Sequence, residues 1–362
     1  MKGKTVLFID EVQEVKELIT QIKFWVDEGS YHYILSGSLL GIELRSLRSA
    51  PVGYVEEVKI YPLDFEEFLV ASGVKEETIQ YLQDCFEACA PVSQVVHNTM
   101  MTHFKRYLIV GGMPAAVQEY VNSGDINKVD KLQRNIIEMY KLDFTKYEQN
   151  QKKLMLISVF EQIPSQLLKQ NRRFNYNDLK KGLRFERVED SFLWLTAAGV
   201  ALPAYNATEP RISLSQNQKS SLVKLYSSDI GLLTSQYGNA ARLKILSGNG
   251  SINMGGLFEN AVIQELTAHG FSVYFYNSHK NGELDFLIEK GGEIVPIEVK
   301  SGKDYYVHSA ISKACENPEY NIHQAYVLGD CNISQEGKIT YYPVYLCNFI
   351  RDDMSLPILK PL

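Results

Sequence analysis

The 362-residue chain is short of several things, and each shortage narrows what it does. No apolar run approaches the ~20 residues that span a bilayer, so no membrane partner is expected. A signal-peptide cleavage region is missing too, because the apolar stretch Val6–Ile9 is broken at Asp10. Cysteine is sparse: Cys85, Cys89, Cys315, Cys331 and Cys347 are odd in number and form no C-x-x-C pair. That usage points to a reduced, cytoplasmic protein. Excess positive charge is also lacking. A formal net charge of −6 argues against a generally basic coat for nucleic acid, while leaving room for a local patch. No internal repeat and no low-complexity tract occurs. The length suggests two or three domains, and 45% apolar residues supply ample core.

What is present begins with Val6–Gln13, VLFIDEVQ. An apolar run without alternation reads as a strand buried on both faces. Acids at the C-terminal end of such a strand lie where open α/β sheets bind ligands. This is the pattern of a Walker B strand. In that reading Asp10 holds Mg²⁺ and Glu11 orients the attacking water. The plainer alternative is a helix N-cap pair favoured by the helix dipole. Val15, Leu18, Ile19, Ile22 and Val26 recur at helical spacing, and Gly29-Ser30 ends that helix. His32–Ser38 reads as a second strand and Val55–Ile60 as a third. Ser36 and Ser38 fall where such ATPases place a polar sensor.

IDEVQ, ILSGSLL, VEEVKIYPLDFEEFL and the GGMP run at Gly111–Pro114 occur in a telling order. Together they resemble the bacterial and archaeal AAA-type ATPases that carry a C-terminal domain of unknown function related to PD-(D/E)xK nucleases. The resemblance spans the chain. It implies an α/β multidomain protein: a partial P-loop ATPase sheet, a helical lid, a winged helix-turn-helix and a PD-(D/E)xK nuclease-like α/β domain. It also implies ATP and Mg²⁺ as cofactors. Two departures stand out. The phosphate loop G-x-x-x-x-G-K-[ST] is absent, and Tyr54 follows Gly53 where many relatives have Arg or Lys. A truncated reading frame or gene fragment is therefore expected, unable to hydrolyse ATP alone. Its sheet would keep an apolar gap or open edges, to be completed by a partner chain or self-association.

The expected partition is residues 1–62 for the partial ATPase core, 63–150 for the lid, 151–237 for the winged helix and 238–362 for the nuclease-like domain. In the lid, Pro62 precedes an aromatic and acidic helix start, and Gly111-Gly112 with Pro114 separates two helices. Cys85 and Cys89 read as core thiols, and His97 and His103 lack ligand spacing. In the winged-helix candidate, helices are expected over Leu154–Gln162, ending near Pro164, over Tyr176–Lys181 and over Glu186–Ala198. Strands Val200–Tyr205 and Leu222–Tyr226 would form the wing. Lys169, Arg172, Arg173, Lys180, Lys181, Arg184 and Arg187 would contact phosphates. Glu186, Glu189 and Asp190 make a solvated packing face an equal alternative.

The last segment carries the richest chemistry. Gly255–His269 reads as a helix with Glu259 on its apolar face, where a carboxylate needs a partner, a proton or a metal. Strands follow at Ser272–Tyr276, Leu284–Glu289 and Ile294–Val299, the last two joined by Lys290-Gly291-Gly292. A helix over Tyr306–Ala314 and strands Gln324–Leu328 and Tyr341–Leu346 close the unit. Glu298 and Lys300 share one strand face, and hairpin pairing brings Asp285 near them. Asp285 and Glu298 would ligate Mg²⁺, with the Val299 carbonyl as a further oxygen. Lys300 would position or deprotonate the attacking water. Glu259 would complete the metal shell or its surroundings, and Glu283 would be an accessory acid. His279 is a loop residue. This looks like the PD-(D/E)xK constellation, although alternating acid and Lys also occurs on solvated strands. Three functions follow as expectations: an ATPase-like protein acting on DNA, a non-catalytic DNA- or protein-binding module, or a fragment without independent activity.

Overall fold

A computed structural model describes residues 3–37, 53–147, 150–247, 254–278, 281–302 and 304–352. Ser38 and His279 lie outside these residues. Strands β1 (Val6–Ile9) and β2 (His32–Leu35) pair in parallel, Val6 opposite His32 and Ile9 opposite Leu35. Helix α1 (Lys16–Glu28) connects them and buries Ile19 and Ile22. Parallel strands need such a crossover. The third strand expected at Val55–Ile60 does not form, and Val58 and Ile60 are 77% and 95% exposed. β-propensity alone does not make a strand; it needs a neighbour to pair with. Val6, Phe8 and Ile34 are likewise exposed.

The helical region packs α2 (Phe65–Ala71), α3 (Glu76–Glu87), α4 (Gln94–Val110), α5 (Pro114–Ser123) and α6 (Ile126–Tyr147). Asp64 opens α2 with a capping box: its side chain accepts the Glu67 N–H, and Glu67 accepts the Asp64 N–H. Gly111 ends α4 with a φ of 70°, and Pro114 starts α5, as the GGMP run suggests. Phe65, Phe68, Phe104 and Tyr107 form the aromatic centre of this layer.

Helix α7 (Asn150–Leu167) runs through Pro164 instead of ending there. Only one i→i−4 bond is lost, near the helix end, so the proline is tolerated. The next expected helices shrink. Tyr176–Asp178 and Phe185–Arg187 are single 3₁₀ turns, and α8 spans Glu189–Ala197. The two expected wing strands exist as β3 (Ala201–Ala207) and β4 (Gln218–Ser227). They are not a free wing. β3 also pairs in parallel with β5 (Tyr274–Ser278), Tyr205 opposite Tyr274.

One eight-stranded sheet results, in the order β4-β3-β5-β6-β7-β8-β10-β9. It adds β6 (Gly282–Lys290), β7 (Glu293–Val299), β8 (Ala325–Gly329), β9 (Ser334–Glu336) and β10 (Ile339–Pro343). The sheet thus crosses the expected boundary at residue 237. α9 (Ile230–Tyr237) and α10 (Asn239–Ser247) lead from β4 to α11 (Gly255–Ala268). α11 covers one face, joining Phe286, Ile288, Val295 and Ile297 to a core that runs from Phe65 to Ile350. α12 (Ser309–Glu316) covers the other face through Ile311, against Leu287 and Val327. The helix expected from Tyr306 starts at Ser309, and the strand expected to reach Leu346 stops at Pro343, where a 3₁₀ segment takes over. Among the described residues no helix is long and apolar enough to cross a membrane.

Candidate functional site

Two groups of residues carry chemistry. The first stands at the ends of β1 and β2. Their register places Ile9 opposite Leu35, so Asp10 and Ser36 emerge side by side. The Ser36 hydroxyl donates to Asp10 Oδ1, and the Glu11 N–H donates to the same oxygen at 3.1 Å. The backbone continues the contact: the Ser36 N–H reaches the Ile9 carbonyl at 2.9 Å, and the Val12 N–H reaches the Ser36 carbonyl at 3.0 Å. Glu11 has a φ of 50°, and its carboxylate accepts from the Gln13 amide.

The second group lies at one end of the large sheet. Asp285 Oδ2 accepts the Val299 N–H at 2.9 Å, which ties it across the hairpin to the strand that carries Glu298. Lys300 Nζ donates to Glu298 Oε1 at 2.7 Å, while Glu298 Oε2 is buried without a hydrogen-bond partner. Asp285, Glu298 and Lys300 thus meet as the alternation of β7 predicts. They line a cavity of about 720 Å³ together with Arg172, Arg173 and Glu283.

Two cations in this site escape sequence reasoning. Lys224, on β4, is fully buried, 2.8 Å from Glu283 Oε1 and 3.9 Å from both Glu259 Oε2 and Asp285 Oδ1. Arg172 Nη1 lies 2.5 Å from Glu259 Oε1. Arg172 was expected on a phosphate-contacting patch, but it turns inward to this carboxylate. Tyr226 donates to the other Glu259 oxygen at 2.7 Å. Glu259 is therefore the counter-ion of the buried Lys224 and the half-buried Arg172. Among the described residues, Glu259, Asp285 and Glu298 do not bring one oxygen each within 4.8 Å of one another. Glu259, expected in the metal shell or its surroundings, pairs with Lys224 and Arg172. The only sequence signal for Lys224 is its place in an otherwise apolar stretch, LVKLY.

The electrostatics follow from this crowding. Burial pushes the Glu298 carboxyl up to about 8, reinforced by Asp285 and opposed by Lys300. Burial also raises Glu259 to about 7, with Asp285 adding and Lys224, Arg172 and Tyr226 opposing. Partial burial works to raise Glu283 as well, yet Lys224 holds it below its ordinary value. Burial works against the Lys224 ammonium, but Glu259, Asp285 and Glu283 outweigh it and raise its pKa.

Comparison with known proteins divides the chain in three. Residues 1–69 match an AAA domain. The N-terminal segment is AAA-like. Residues 101–243 and 254–346 each match a domain of unknown function, DUF8612 and DUF4143 respectively. No curated protein and no solved structure matches the chain. The AAA-like segment holds the Asp10–Ser36 contact. The cavity draws Arg172 and Arg173 from the middle match and Asp285, Glu298 and Lys300 from the last one, and the buried Lys224–Glu259 pair joins the same two matches.

Proposed function

We propose that the sheet-end cavity is a metal-dependent phosphodiester-cleaving site for DNA, attached to an AAA-like segment. The observation that carries this is the convergence of Asp285, Glu298 and Lys300 in a cavity that also presents Arg173. The donor set suits Mg²⁺. Glu298 has a buried oxygen without a partner, and Asp285 Oδ1 meets Lys224 only at 3.9 Å. Asp285 and Glu298 would hold the ion, which when bound offsets charge on the phosphate and acidifies water. Arg173 binds phosphate oxygens. Lys300 holds a proton beside Glu298 Oε1 and orients the attacking water. To act as a ligand, Glu298 would have to give up its proton.

The test is Mg²⁺-dependent cleavage of single- and double-stranded DNA by wild type, Asp285→Ala and Lys300→Ala. Each substitution is expected to lower the rate by about a hundredfold or more. Equal cleavage by all three, or none by wild type, removes the catalytic claim. Lys224 among the carboxylates favours a second reading, binding without cleavage, because it already supplies part of the charge a metal would bring. That reading expects salt-dependent DNA binding that weakens in Arg173→Ala.

For the AAA-like segment the reading is nucleotide contact, with Mg²⁺ held by Asp10, Ser36 beside it and Glu11 orienting water. The support is the Ser36–Asp10 hydrogen bond.

A further inference from the structure

Another cluster of ionisable groups sits at the far end of α11, with Glu265 six and His269 ten residues beyond Glu259, about 9 and 15 Å along the helix. Glu265 and His269 are four residues apart and share a helix face. Asp64, the N-cap of α2, meets them from the helical layer. One ligand atom from each of the three lies within 4.8 Å of the other two.

Each side chain is already half used. Asp64 Oδ1 accepts the Glu67 N–H at 2.9 Å. Glu265 Oε1 accepts the Phe65 N–H at 3.0 Å and the Tyr107 hydroxyl at 3.1 Å. His269 Nδ1 lies 3.0 Å from the Ile350 carbonyl. A carbonyl only accepts, so Nδ1 carries the proton and Nε2 of the neutral ring keeps its lone pair. The unused atoms are Glu265 Oε2 and His269 Nε2, both buried without a hydrogen-bond partner. The third is Asp64 Oδ2, 3.6 Å from His269 Nε2. Glu265 is fully buried and forms no ion pair with Lys or Arg among the described residues. The nearby guanidinium of Arg351 faces Glu66 instead, at 3.5 Å. A buried carboxylate in that position calls for a proton or a cation.

We propose that Asp64, Glu265 and His269 form a binding site for a divalent transition-metal ion, with Zn²⁺ suiting one imidazole and two carboxylates. Ligands about 2.0–2.1 Å from a tetrahedral zinc stand about 3.3 Å apart, close to the 3.6 Å between His269 Nε2 and Asp64 Oδ2. The Nδ1–H to carbonyl bond is the outer contact that orients metal-binding histidines. The ion would clamp the start of α2 to the end of α11 and leave the sheet-end cavity untouched.

The test uses the full chain, stripped with chelator and titrated with ZnCl₂ by calorimetry and with CoCl₂ by visible absorption. Wild type is expected to take up a zinc equivalent that Glu298→Gln retains. Asp64→Asn keeps a capping oxygen and so keeps the fold. It is expected to bind that equivalent at least tenfold more weakly and to lose the cobalt band, as is Glu265→Gln. Zinc affinity in folded Asp64→Asn and Glu265→Gln equal to that of wild type overturns the proposal. So does a wild type that takes up no zinc at micromolar concentration.

Discussion

Glu298 keeps a proton that an exposed glutamate would have lost. The folded state therefore binds this proton more tightly than the unfolded chain does. Stability from the group is complete below its ordinary value of 4.5 and disappears as pH rises through about 8. Glu259 acts in the same direction through about 7. In chelator, wild type is expected to lose on the order of 1 kcal/mol or more between pH 5 and 8.5, read from urea unfolding. Glu298→Gln should flatten that slope; an unchanged slope would show that Glu298 is ionised in the folded state. Lys224 makes the complementary case. Lys224→Met leaves Glu283 without its ion-pair partner and Glu259 with Arg172 alone, so a loss of about 3–5 kcal/mol is expected. Adding Glu283→Gln should recover part of it. Asp285, Glu298 and Lys300 were legible because a strand repeats every two residues and a Gly-Gly turn joins its neighbour. Lys224 and Arg172 were not, since each comes from a different segment and nothing local marks its partner. Glu265 and His269 carry a visible four-residue spacing, but Asp64 joins them only through the fold.

Among the elements, close approach governs the contact between α4 and α9. A Cβ on Gly231 would stand 2.5 Å from the Val110 carbonyl oxygen, and one on Gly111 would stand 2.7 Å from the Gly231 nitrogen. Asp229 locks the same contact by capping α9 and accepting the Gly112 N–H at 2.6 Å. Gly231→Ala is expected to destabilise by about 1–3 kcal/mol, measured as a lower urea midpoint at unchanged slope. A neutral result would mean that the helices separate freely. Most element types could be read from periodicity and from Gly and Pro punctuation. The β6–β7 hairpin, α11 and the GGMP break appear close to where the sequence puts them. The misses share a cause. Val55–Ile60 has strand composition but no partner to pair with. β3 and β4 look like a local hairpin, while the parallel β3–β5 contact joins segments far apart in sequence.

At the scale of the molecule, none of the described residues of 1–62 belongs to either hydrophobic cluster. The β1–α1–β2 unit therefore adds little to the stability of the rest. Removing residues 1–52 is expected to shift the thermal midpoint by less than about 2 °C, measured by calorimetry. A larger drop would reveal a shared core. The remainder behaves oppositely. The Phe65 N–H finds its acceptor on Glu265, 200 residues later, and β3 waits for β5. At about 5–20 residues per second of synthesis, that gap holds the helical layer open for roughly 10–40 s. During that time the Phe65 N–H lacks its acceptor, and once β3 is made its edge stays open until β5 follows. An unpaired edge of this kind is a template for pairing with other chains, so the half-made sheet is at its most aggregation-prone before β5 appears.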